Sequence, residues 1–276
     1  MKLLITGATG FLGSATVSAA RSAGLDVTAV SRSALPGHVG VDLEDHPALA
    51  RILDHVSPAA IINCAAVIDF GSGVLARLYR VNTLAPAVMA GWAARHDALL
   101  VQASTIAVHG VKVERVDAST PVNPDTDYGR SKWLAEEMIQ AAGCRAAVVR
   151  FGGLFGRASG DHLALNAAIR AAGEGTLPTV RGTGMAKRNY VYVEDAASAL
   201  VQCVIERLVG IFRLGGATVS SVSEMLEAVC EVYQFEGKPR FEDGPDGPDQ
   251  IVESSPDLAP GRTFREALAA DRSLSR

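Results

Sequence analysis

Several features that identify particular classes of protein are absent from this sequence. It has no run of Lys and Arg, and a formal net charge of −4 with a pI near 5.9 argues against a nucleic-acid partner. Its four cysteines include no C-x-x-C pair, so neither a metal site nor a disulfide framework is predicted. No segment approaches about 18 consecutive apolar residues, so no membrane span is expected. The apolar run after Met1-Lys2 is too short for a signal peptide, which predicts a cytoplasmic protein.

The sequence does contain a regular alternation of short apolar runs and longer helical patterns. The predicted strands are 2–6, 27–31, 38–41, 59–64, 99–103 and 145–150, and the predicted helices between them are 12–23, 47–55, 74–95 and 128–142. Strands that are apolar throughout and separated by helices predict a parallel sheet covered on both faces. The expected fold class is therefore α/β, a Rossmann-type doubly wound sheet that binds ligands at the carboxyl ends of its strands.

The alternation ends after Arg150. The remaining segments are predicted as a helix at 163–172, a strand and a helix in 188–206, a strand at 210–216, and helices at 220–234 and 262–270. We therefore predict a dinucleotide-binding Rossmann domain of residues 1–150 that is completed by 186–208. A smaller substrate-binding lobe is expected from residues 151–185 and 209–276.

A glycine turn follows the first predicted strand and opens the first helix. Gly7, Gly10 and Gly13 form a G-x-x-G-x-x-G pattern, with Thr9, Phe11 and Leu12 between them. Such glycines permit a tight turn, close approach of a pyrophosphate and close packing of helix on sheet. The N–H groups at the start of the helix then face that anion. This context predicts a dinucleotide site, against the alternative of a glycine turn without a ligand.

The end of the second predicted strand indicates which dinucleotide binds. An acid there would bind the adenosine ribose and repel a 2′-phosphate, but this sequence has Ser31 and Arg32. Arg32 can pair with a 2′-phosphate, so NADP is favoured over NAD; the alternative is a solvated surface arginine. Asp42 and Leu43, at the end of the third strand, are predicted to flank the adenine.

Tyr128 and Lys132 are one helical turn apart, behind a predicted helix cap at Thr126 or Asp127. They lie within about 40° of each other at one edge of the predicted buried face. A lysine charge there would lower the phenol pKa towards the working pH. Tyr128 could then exchange a proton with a carbonyl oxygen as hydride moves. Thr105 closes the fifth strand, where ligands are expected.

These motifs resemble an extended short-chain dehydrogenase/reductase. "TGATGFLG", "INCAA", Asn82 in "VNTLAP", "QAST" before "VHG" and Tyr128-x-x-x-Lys132 are similar, more narrowly, to the NAD-dependent epimerase/dehydratase group of nucleotide-sugar enzymes. The resemblance implies that the Thr105 hydroxyl holds the reacting oxygen beside Tyr128, and that Lys132 also binds the nicotinamide ribose. It also implies a set of residues around the cofactor and reacting groups, namely Ala65, Ala66, Asn82, Ala103, Ser104 and Phe151.

The substrate residues that the resemblance implies are Ser104, Thr105, Gly153 and Arg188. Arg188 matches an arginine that contacts the substrate diphosphate, although a rim charge paired with Glu194 or Asp195 is the alternative. Gly153 stands where many sugar epimerases carry Asn. His109 replaces a frequent Tyr; it can titrate or hydrogen-bond, and an exposed loop histidine is the simpler interpretation. No acidic pair follows Thr105, which disfavours a dehydratase.

The sequence thus predicts an NADP(H)-dependent oxidoreductase that reduces a keto group of a nucleoside-diphosphate (6-deoxy)sugar. Residues 46–66 and the Tyr128 region are similar to small NADPH-dependent reductases of nucleotide-linked 4-keto-6-deoxy sugars. The alternatives are an NAD(P)-dependent nucleotide-sugar epimerase, a non-sugar ketone or aldehyde reductase, and a cofactor-sensing binding protein. The resemblance further implies a homodimer formed through the helices at 74–95 and 128–142.

Overall fold

The computed structural model describes residues 1–68, 74–156, 163–258 and 261–273. The strands are β1 (Lys2–Thr6), β2 (Asp26–Ser31), β3 (His38–Gly40), β4 (Ala60–Asn63), β5 (Leu99–Thr105), β6 (Arg115–Val116), β7 (Arg145–Phe151), β8 (Leu154–Phe155), β9 (Thr179–Arg181), β10 (Lys187–Arg188), β11 (Val191–Tyr192), β12 (Gly210–Leu214), β13 (Ser220–Ser221), β14 (Arg240–Glu242) and β15 (Ile251–Val252). The α-helices are α1 (Phe11–Ser22), α2 (His46–Val56), α3 (Leu75–Tyr79), α4 (Ala85–His96), α5 (Asp127–Ala142), α6 (Ala164–Gly173), α7 (Val193–Ile205), α8 (Val222–Tyr233) and α9 (Phe264–Ser273). A π-helical turn occupies Arg80–Leu84, and 3-10 turns occupy Ile106–His109 and Pro256–Leu258.

A seven-stranded sheet organises the fold, in the order β12-β7-β5-β4-β1-β2-β3. The β1 strand pairs in parallel with β2 and β4, and the pairs β2–β3 and β4–β5 are also parallel. Leu3, Leu4 and Ile5 are fully buried, as expected for an apolar strand with helices flanking its sheet. The predicted Rossmann-type α/β fold is confirmed.

One hydrophobic core is built from the sheet and the helices α2, α4 and α5. Its members include Leu4, Leu49, Leu53, Ile61, Met89, Trp92, Leu100 and Ile139. Full burial of such a side chain contributes roughly 1.5–3 kcal/mol, so this core anchors the strands whose carboxyl ends carry the predicted site. Trp92 keeps its polar group satisfied by donating from Nε1 to Asp54 at 2.8 Å.

The predicted helix 74–95 is interrupted in the structure. It divides into α3, the π-helical turn and α4. Pro86 lies in the first turn of α4 and has no backbone N–H, so regular bonding to the preceding turn is lost there. Asn82 and Thr83, within the π-helical turn, instead use their side chains to bond to other segments. Wider turns of this kind are frequent at functional sites.

The described residues group into two compact units whose boundaries differ from the prediction. The first contains Met1–Val111, Pro121–Arg150 and Ala197–Phe212, and the second contains Lys112–Thr120, Phe151–Ala196 and Arg213–Arg276. Part of the predicted second lobe, residues 157–162, 259–260 and 274–276, lies outside the described residues.

Strand pairing explains the differences. Segment 112–120 belongs to the second unit because β6 pairs with β15, and segment 186–196 belongs there because β10 pairs with β13 and β11 with β8. The predicted strand at 210–216 was placed in the lobe, but β12 is an edge strand of the large sheet. Within the second unit, the Phe155 ring packs against Tyr192 and Phe264 at centroid distances of 5.5 and 4.9 Å.

Candidate active site

The glycine turn lies between β1 and α1 and is shaped by backbone contacts. Gly7 has φ +67, and a Cβ there would lie 2.7 Å from the Ala65 nitrogen. A Cβ on Gly13 would lie 1.9 Å from the Gly7 oxygen. Both positions therefore require glycine, and the turn is closed by Gly10 N–H donating to the Gly7 oxygen at 2.8 Å.

This turn fits the pyrophosphate of a dinucleotide. Gly10 precedes α1 without a side-chain cap, so N–H groups of the first helical turn have no side-chain acceptor. Gly10 and Thr9 are exposed, and Phe11 and Leu12 are half-buried. The predicted cofactor residues of this segment are thus together at the carboxyl end of β1.

The end of β2 presents a cation rather than an acid. Arg32 is exposed, while the buried Ser31 hydroxyl donates to the Ser33 oxygen at 2.7 Å. Ser31 therefore shapes the turn that carries Arg32, and its hydroxyl hydrogen is already used.

Asp42 and Leu43, the two residues predicted to flank the adenine, differ in the exposure of their side chains. Asp42 is exposed and accepts from the Glu44 N–H at 3.0 Å. Leu43 is 6% exposed and belongs to the hydrophobic core with Leu49 and Leu53. The Leu43 side chain is therefore held in the core, and the prediction that Asp42 and Leu43 flank the adenine stays a prediction.

Asn82 is fully buried, and its amide is used by the protein itself. Its Nδ2 donates to the Val67 oxygen at 2.9 Å and to Ser131 Oγ at 3.1 Å, while its Oδ1 accepts from the Val67 N–H at 2.8 Å. Ser131 in turn donates to the backbone carbonyl oxygen of Tyr128 at 2.8 Å. Asn82 therefore links the segment after β4, which includes the half-buried Ala65 and the exposed Ala66, to the start of α5.

Tyr128, Thr105 and Lys132 come together where β5 ends and α5 begins. Thr126 caps α5 by accepting from the Gly129 N–H at 3.0 Å, which places Tyr128 in the first turn. The Thr105 side chain acts on the Tyr128 phenol and favours its ionised form. Lys132 is 3% exposed, and its Nζ donates to the Ala103 oxygen at 2.7 Å. The three predicted catalytic residues therefore form one cluster.

Burial controls the protonation of this cluster. It raises the pKa of Tyr128 to about 12, and the Thr105 side chain opposes the rise only in part. Burial also lowers the pKa of Lys132 to about 8, against the opposing influence of Glu136 and Cys64. The prediction that the phenol pKa falls towards the working pH is wrong, because desolvation of the buried phenol is the larger effect. At neutral pH, Tyr128 keeps a proton that it can donate.

The sequence interpretation missed a buried group of charges behind these residues. Glu136 and Arg150 form an ion pair at 2.5 Å, with side chains 4% and 9% exposed. Ser104, which is also predicted to contact substrate, donates to Glu136 at 2.5 Å. His109 is 2% exposed and lies 3.2 Å from Arg150 Nη1, so it is not an exposed loop histidine. The missed signal was Arg150 at the end of an apolar strand, since a buried charge needs a partner.

A second missed group consists of amides at the ends of the central strands. Thr6 donates to Asn63 at 2.5 Å, Asn63 donates to Gln102 at 2.8 Å, and Gln102 donates to the Ala103 oxygen at 2.8 Å. Thr6, Asn63 and Gln102 are buried, so their polar groups require these partners. The Ala103 oxygen consequently accepts from both Gln102 and Lys132.

The remaining predicted residues belong to the second unit. Phe151 is buried, and Arg188 is half-buried with its Nη1 donating to the Lys187 oxygen at 2.8 Å. A Cβ on Gly153 would lie 2.3 Å from the Tyr190 ring, so Tyr190 occupies the space that a larger residue would need. The Arg188 charge also acts on the Tyr190 phenol and opposes the rise of its pKa by burial. The two predicted substrate residues, Gly153 and Arg188, therefore share Tyr190 as a neighbour.

Two further observations concern the part of the chain that the structure describes. Within it, no cluster of three or more His, Cys, Asp or Glu side chains is arranged to hold a metal ion. Over the same residues, no helix has the length and hydropathy that crossing a bilayer requires.

Known proteins with similar sequences are nucleotide-sugar enzymes. The chain is 32% identical over 208 residues to dTDP-4-dehydrorhamnose reductase of Mycobacterium tuberculosis, covering 72% of this chain and 64% of that protein. It is 30% identical over 226 residues to UDP-glucose 4-epimerase of Rhizobium meliloti, covering 69% of this chain and 67% of that protein.

Solved structures agree with the fold. The Bordetella bronchiseptica enzyme WbmH, crystallised in complex with NAD+, superposes with a TM-score of 0.80 at 22% identity, over 99% of this chain and 97% of that one. The family model for the NAD dependent epimerase/dehydratase family matches residues 3–211. With this match and the two relatives above, the chain belongs to the NAD dependent epimerase/dehydratase family.

Proposed function

We propose that this chain is an NADP(H)-dependent reductase acting on a keto group of a nucleotide-activated 6-deoxy sugar. The observation that carries the proposal is the cluster in which the Thr105 side chain acts on the buried Tyr128 phenol and the Lys132 ammonium lies one helical turn away. A protonated phenol in this position is a general acid for a carbonyl oxygen.

The residues divide the chemistry between them. The glycine turn would hold the pyrophosphate of a reduced dinucleotide, whose nicotinamide would supply hydride to the carbonyl carbon. Tyr128 gives its proton to the carbonyl oxygen, which becomes the alcohol hydroxyl. Thr105 orients that oxygen by hydrogen bonding, and the Lys132 charge stabilises the tyrosinate that remains. Uptake of a proton from solvent then restores the Tyr128 phenol.

The preference for NADP rests on the exposed Arg32 at the end of β2, where an acid would favour NAD. A guanidinium can bind a 2′-phosphate through two parallel hydrogen bonds. The reductase assignment draws support from the relative named dTDP-4-dehydrorhamnose reductase.

A second candidate is a nucleotide-sugar epimerase that uses the same residues with a retained cofactor. It is favoured by the similarity to UDP-glucose 4-epimerase, and the NAD+ in WbmH is consistent with NAD as the competing cofactor. An epimerase oxidises and re-reduces the same sugar, so it consumes no net NADPH.

The test combines one substitution with two assays. Tyr128→Phe is expected to lower the rate of NADPH oxidation with a dTDP-4-keto-6-deoxy sugar by roughly 100- to 10,000-fold. NADP+ affinity should stay within a few-fold of wild type, because Phe keeps the ring. Tyr233→Phe, in α8 of the second unit, is the matched control and should retain full activity.

Two outcomes would overturn parts of the proposal. Unchanged turnover in Tyr128→Phe would remove the general-acid assignment. Interconversion of UDP-glucose and UDP-galactose without net NADPH consumption, together with no keto-sugar reduction, would replace the reductase by the epimerase.

We also infer that two copies associate through the helices of segments 74–95 and 128–142. Supporting this, Leu84 in the π-helical turn and Met138 in α5 are 41% and 45% exposed, and these two elements pack side by side. Light scattering should give twice the chain mass of 28.8 kDa. Met138→Glu should give a monomer, whereas Leu35→Glu, equally exposed but outside these segments, should not. A monomeric wild-type protein would contradict the inference.

A further inference from the structure

Three consecutive residues of β5 face three residues of α5. The Ala103 oxygen accepts from Lys132 Nζ at 2.7 Å, and the Ser104 hydroxyl donates to Glu136 at 2.5 Å. The Thr105 side chain acts on the Tyr128 phenol. The helix residues are spaced four apart, so they form one stripe along α5. Glu136 is thus in the same row as the two residues that the proposed reaction uses.

The Glu136 carboxylate is held in place by Arg150. Arg150 Nε lies 3.1 and 3.2 Å from the two carboxylate oxygens, and its Nη2 donates to Oε2 at 2.5 Å. Ser104 supplies the remaining contact. A buried ion pair is tolerated when its lone pairs and N–H groups are satisfied in this way, and leaving one charge alone is strongly destabilising.

His109 completes the surroundings of Arg150 without adding charge. A guanidinium can only donate, so Arg150 Nη1, 3.2 Å away, donates to His109 Nε2. The other ring nitrogen, Nδ1, is then protonated and donates to the Pro121 oxygen at 3.0 Å. This pattern describes a neutral imidazole, which leaves Glu136 as the carboxylate that balances Arg150.

Lys132 faces few groups that can carry charge. Glu136 lies on its own helix, Cys64 lies at the end of β4, and both favour the ammonium form of Lys132. Tyr128 is one turn back on α5, and Arg150 bonds to Glu136 and lies 3.2 Å from His109 Nε2. Cys64 is a neutral thiol at physiological pH because burial raises its pKa to about 12. Glu136 is therefore the negative charge that opposes desolvation of Lys132.

We propose that Glu136 is a positioning residue for the reaction: held by Arg150, it fixes Ser104 between the strand residues that engage Lys132 and Tyr128, and it keeps Lys132 in its charged form. The inference rests on the proposed function for its catalytic consequence, but the charge on Lys132 can be measured without any substrate. A merely structural ion pair would join α5 to β7 and leave the titration of Lys132 unchanged.

The first measurement is an NMR titration of the lysine side chains. The sequence contains five lysines, at positions 2, 112, 132, 187 and 238, and Lys132→Arg identifies the Lys132 signal by its loss. In the wild type this signal should titrate near pH 8. In Glu136→Gln its midpoint should fall by roughly one pH unit, because an opposite charge has been removed. Glu137→Gln, the exposed neighbour on α5, is the matched control and should leave the midpoint unchanged.

Folding of the variant needs its own control, because Glu136→Gln leaves Arg150 buried and unpaired. Glu136→Gln/Arg150→Met removes both charges and retains an acceptor for Ser104. It should fold and show a midpoint that is also lowered, but by less than in Glu136→Gln, because the positive charge of Arg150 is removed as well. Failure of both variants to fold, or a wild-type midpoint in either folded variant, would overturn the proposal in favour of a structural ion pair.

The second measurement separates two effects of Glu136: its positioning of Ser104 and its influence on the charge of Lys132. Ser104→Ala should lower kcat by roughly 10-fold while the Lys132 midpoint, KM and NADP+ affinity stay near wild type, because the charges are intact. In Glu136→Gln the high-pH limb of the kcat/KM profile should move down with the Lys132 midpoint. Wild-type kcat in Ser104→Ala would remove the positioning role. If the wild type reduces no keto sugar, the proposed function fails, and the NMR titration still decides the role of Glu136.

Discussion

The glycine turn and the α5 stripe of Tyr128, Lys132 and Glu136 are two parts of the candidate active site that are built in different ways. At the turn, Gly7 and Gly13 leave no room for a Cβ, so the backbone itself forms the site. In the stripe, the backbone is an ordinary helix, and the site depends on buried hydrogen bonds and charges. We expect the turn to be sensitive to side-chain volume, and the stripe to be sensitive to charge and pH.

The largest effect should come from adding one methyl group at the turn. Gly13→Ala would bring a Cβ to 1.9 Å from the Gly7 oxygen, a contact that only backbone movement can relieve. The expected loss in free energy of unfolding is about 3 kcal/mol, together with loss of NADP+ binding. Denaturant unfolding and calorimetry measure both quantities.

Gly91→Ala is the matched control for that change. It lies within α4, where the nearest atom to a new Cβ is Arg95 Nη1 at 3.7 Å. Better helix propensity should make it neutral or stabilising by about 1 kcal/mol. Equal stability of the two alanine variants would show that the turn is not set by backbone contact.

Removing the Lys132 charge from the stripe should stabilise the protein, whereas Gly13→Ala should destabilise it. Lys132 has its pKa lowered to about 8, so below that pH the folded protein carries a desolvated ammonium at a cost of roughly 3 kcal/mol. Lys132→Met should therefore increase the free energy of unfolding at pH 7, by roughly 2 kcal/mol after loss of the bond to Ala103. Gln102 still donates to the Ala103 oxygen, which limits that loss.

The pH dependence of this gain provides the check. Between pH 8 and pH 10.5 the folded wild type loses the proton that the unfolded chain keeps, so its stability relative to Lys132→Met rises with pH. The difference between the two proteins should shrink across this window. A difference that is constant from pH 7 to pH 10 would contradict the assignment of the cost to the ammonium group.

A smaller effect is expected at Arg32, whose side chain is proposed to bind the same cofactor as the glycine turn. Arg32→Asp should weaken NADP+ binding by about 10-fold or more, or about 1.4 kcal/mol, and improve NAD+ binding. Thermal shifts with both nucleotides measure the preference. Arg51→Asp, an exposed change in α2, should not alter it. A wild type that already prefers NAD+ would refute the role given to Arg32.

The smallest effect tests the helix that carries the stripe. Thr126 accepts from the Gly129 N–H at 3.0 Å, so Thr126→Ala should cost about 1 kcal/mol of stability. Thr126→Ser keeps the hydroxyl and should recover most of the loss. A cost equal in both variants would assign the effect to the methyl group and not to the cap.

The two regions also differ in how far they could be predicted from sequence. The limits of β1 and the start of α5 were predicted to within one residue, since apolar runs, glycine spacing and helix caps are local signals. Three features were not predicted: the interruption of 74–95 by a π-helical turn just before Pro86, the burial of Leu43 and His109, and the hydrogen bond from Ser104 to Glu136. Each depends on neighbours that are distant in sequence, and desolvation of Tyr128 is likewise a property of the folded surroundings.

The chain of amides at the strand ends connects the two regions that have been contrasted. Thr6 precedes Gly7, and every hydrogen bond from Thr6 through Asn63 and Gln102 to the Ala103 oxygen runs in the same direction. Aligned hydrogen bonds polarise one another, so the Ala103 carbonyl that receives Lys132 carries an enhanced partial negative charge. If one side-chain amide in the middle of the row were flipped, two donors or two acceptors would face each other. The loss of hydrogen bonding would then affect both the glycine turn and Lys132.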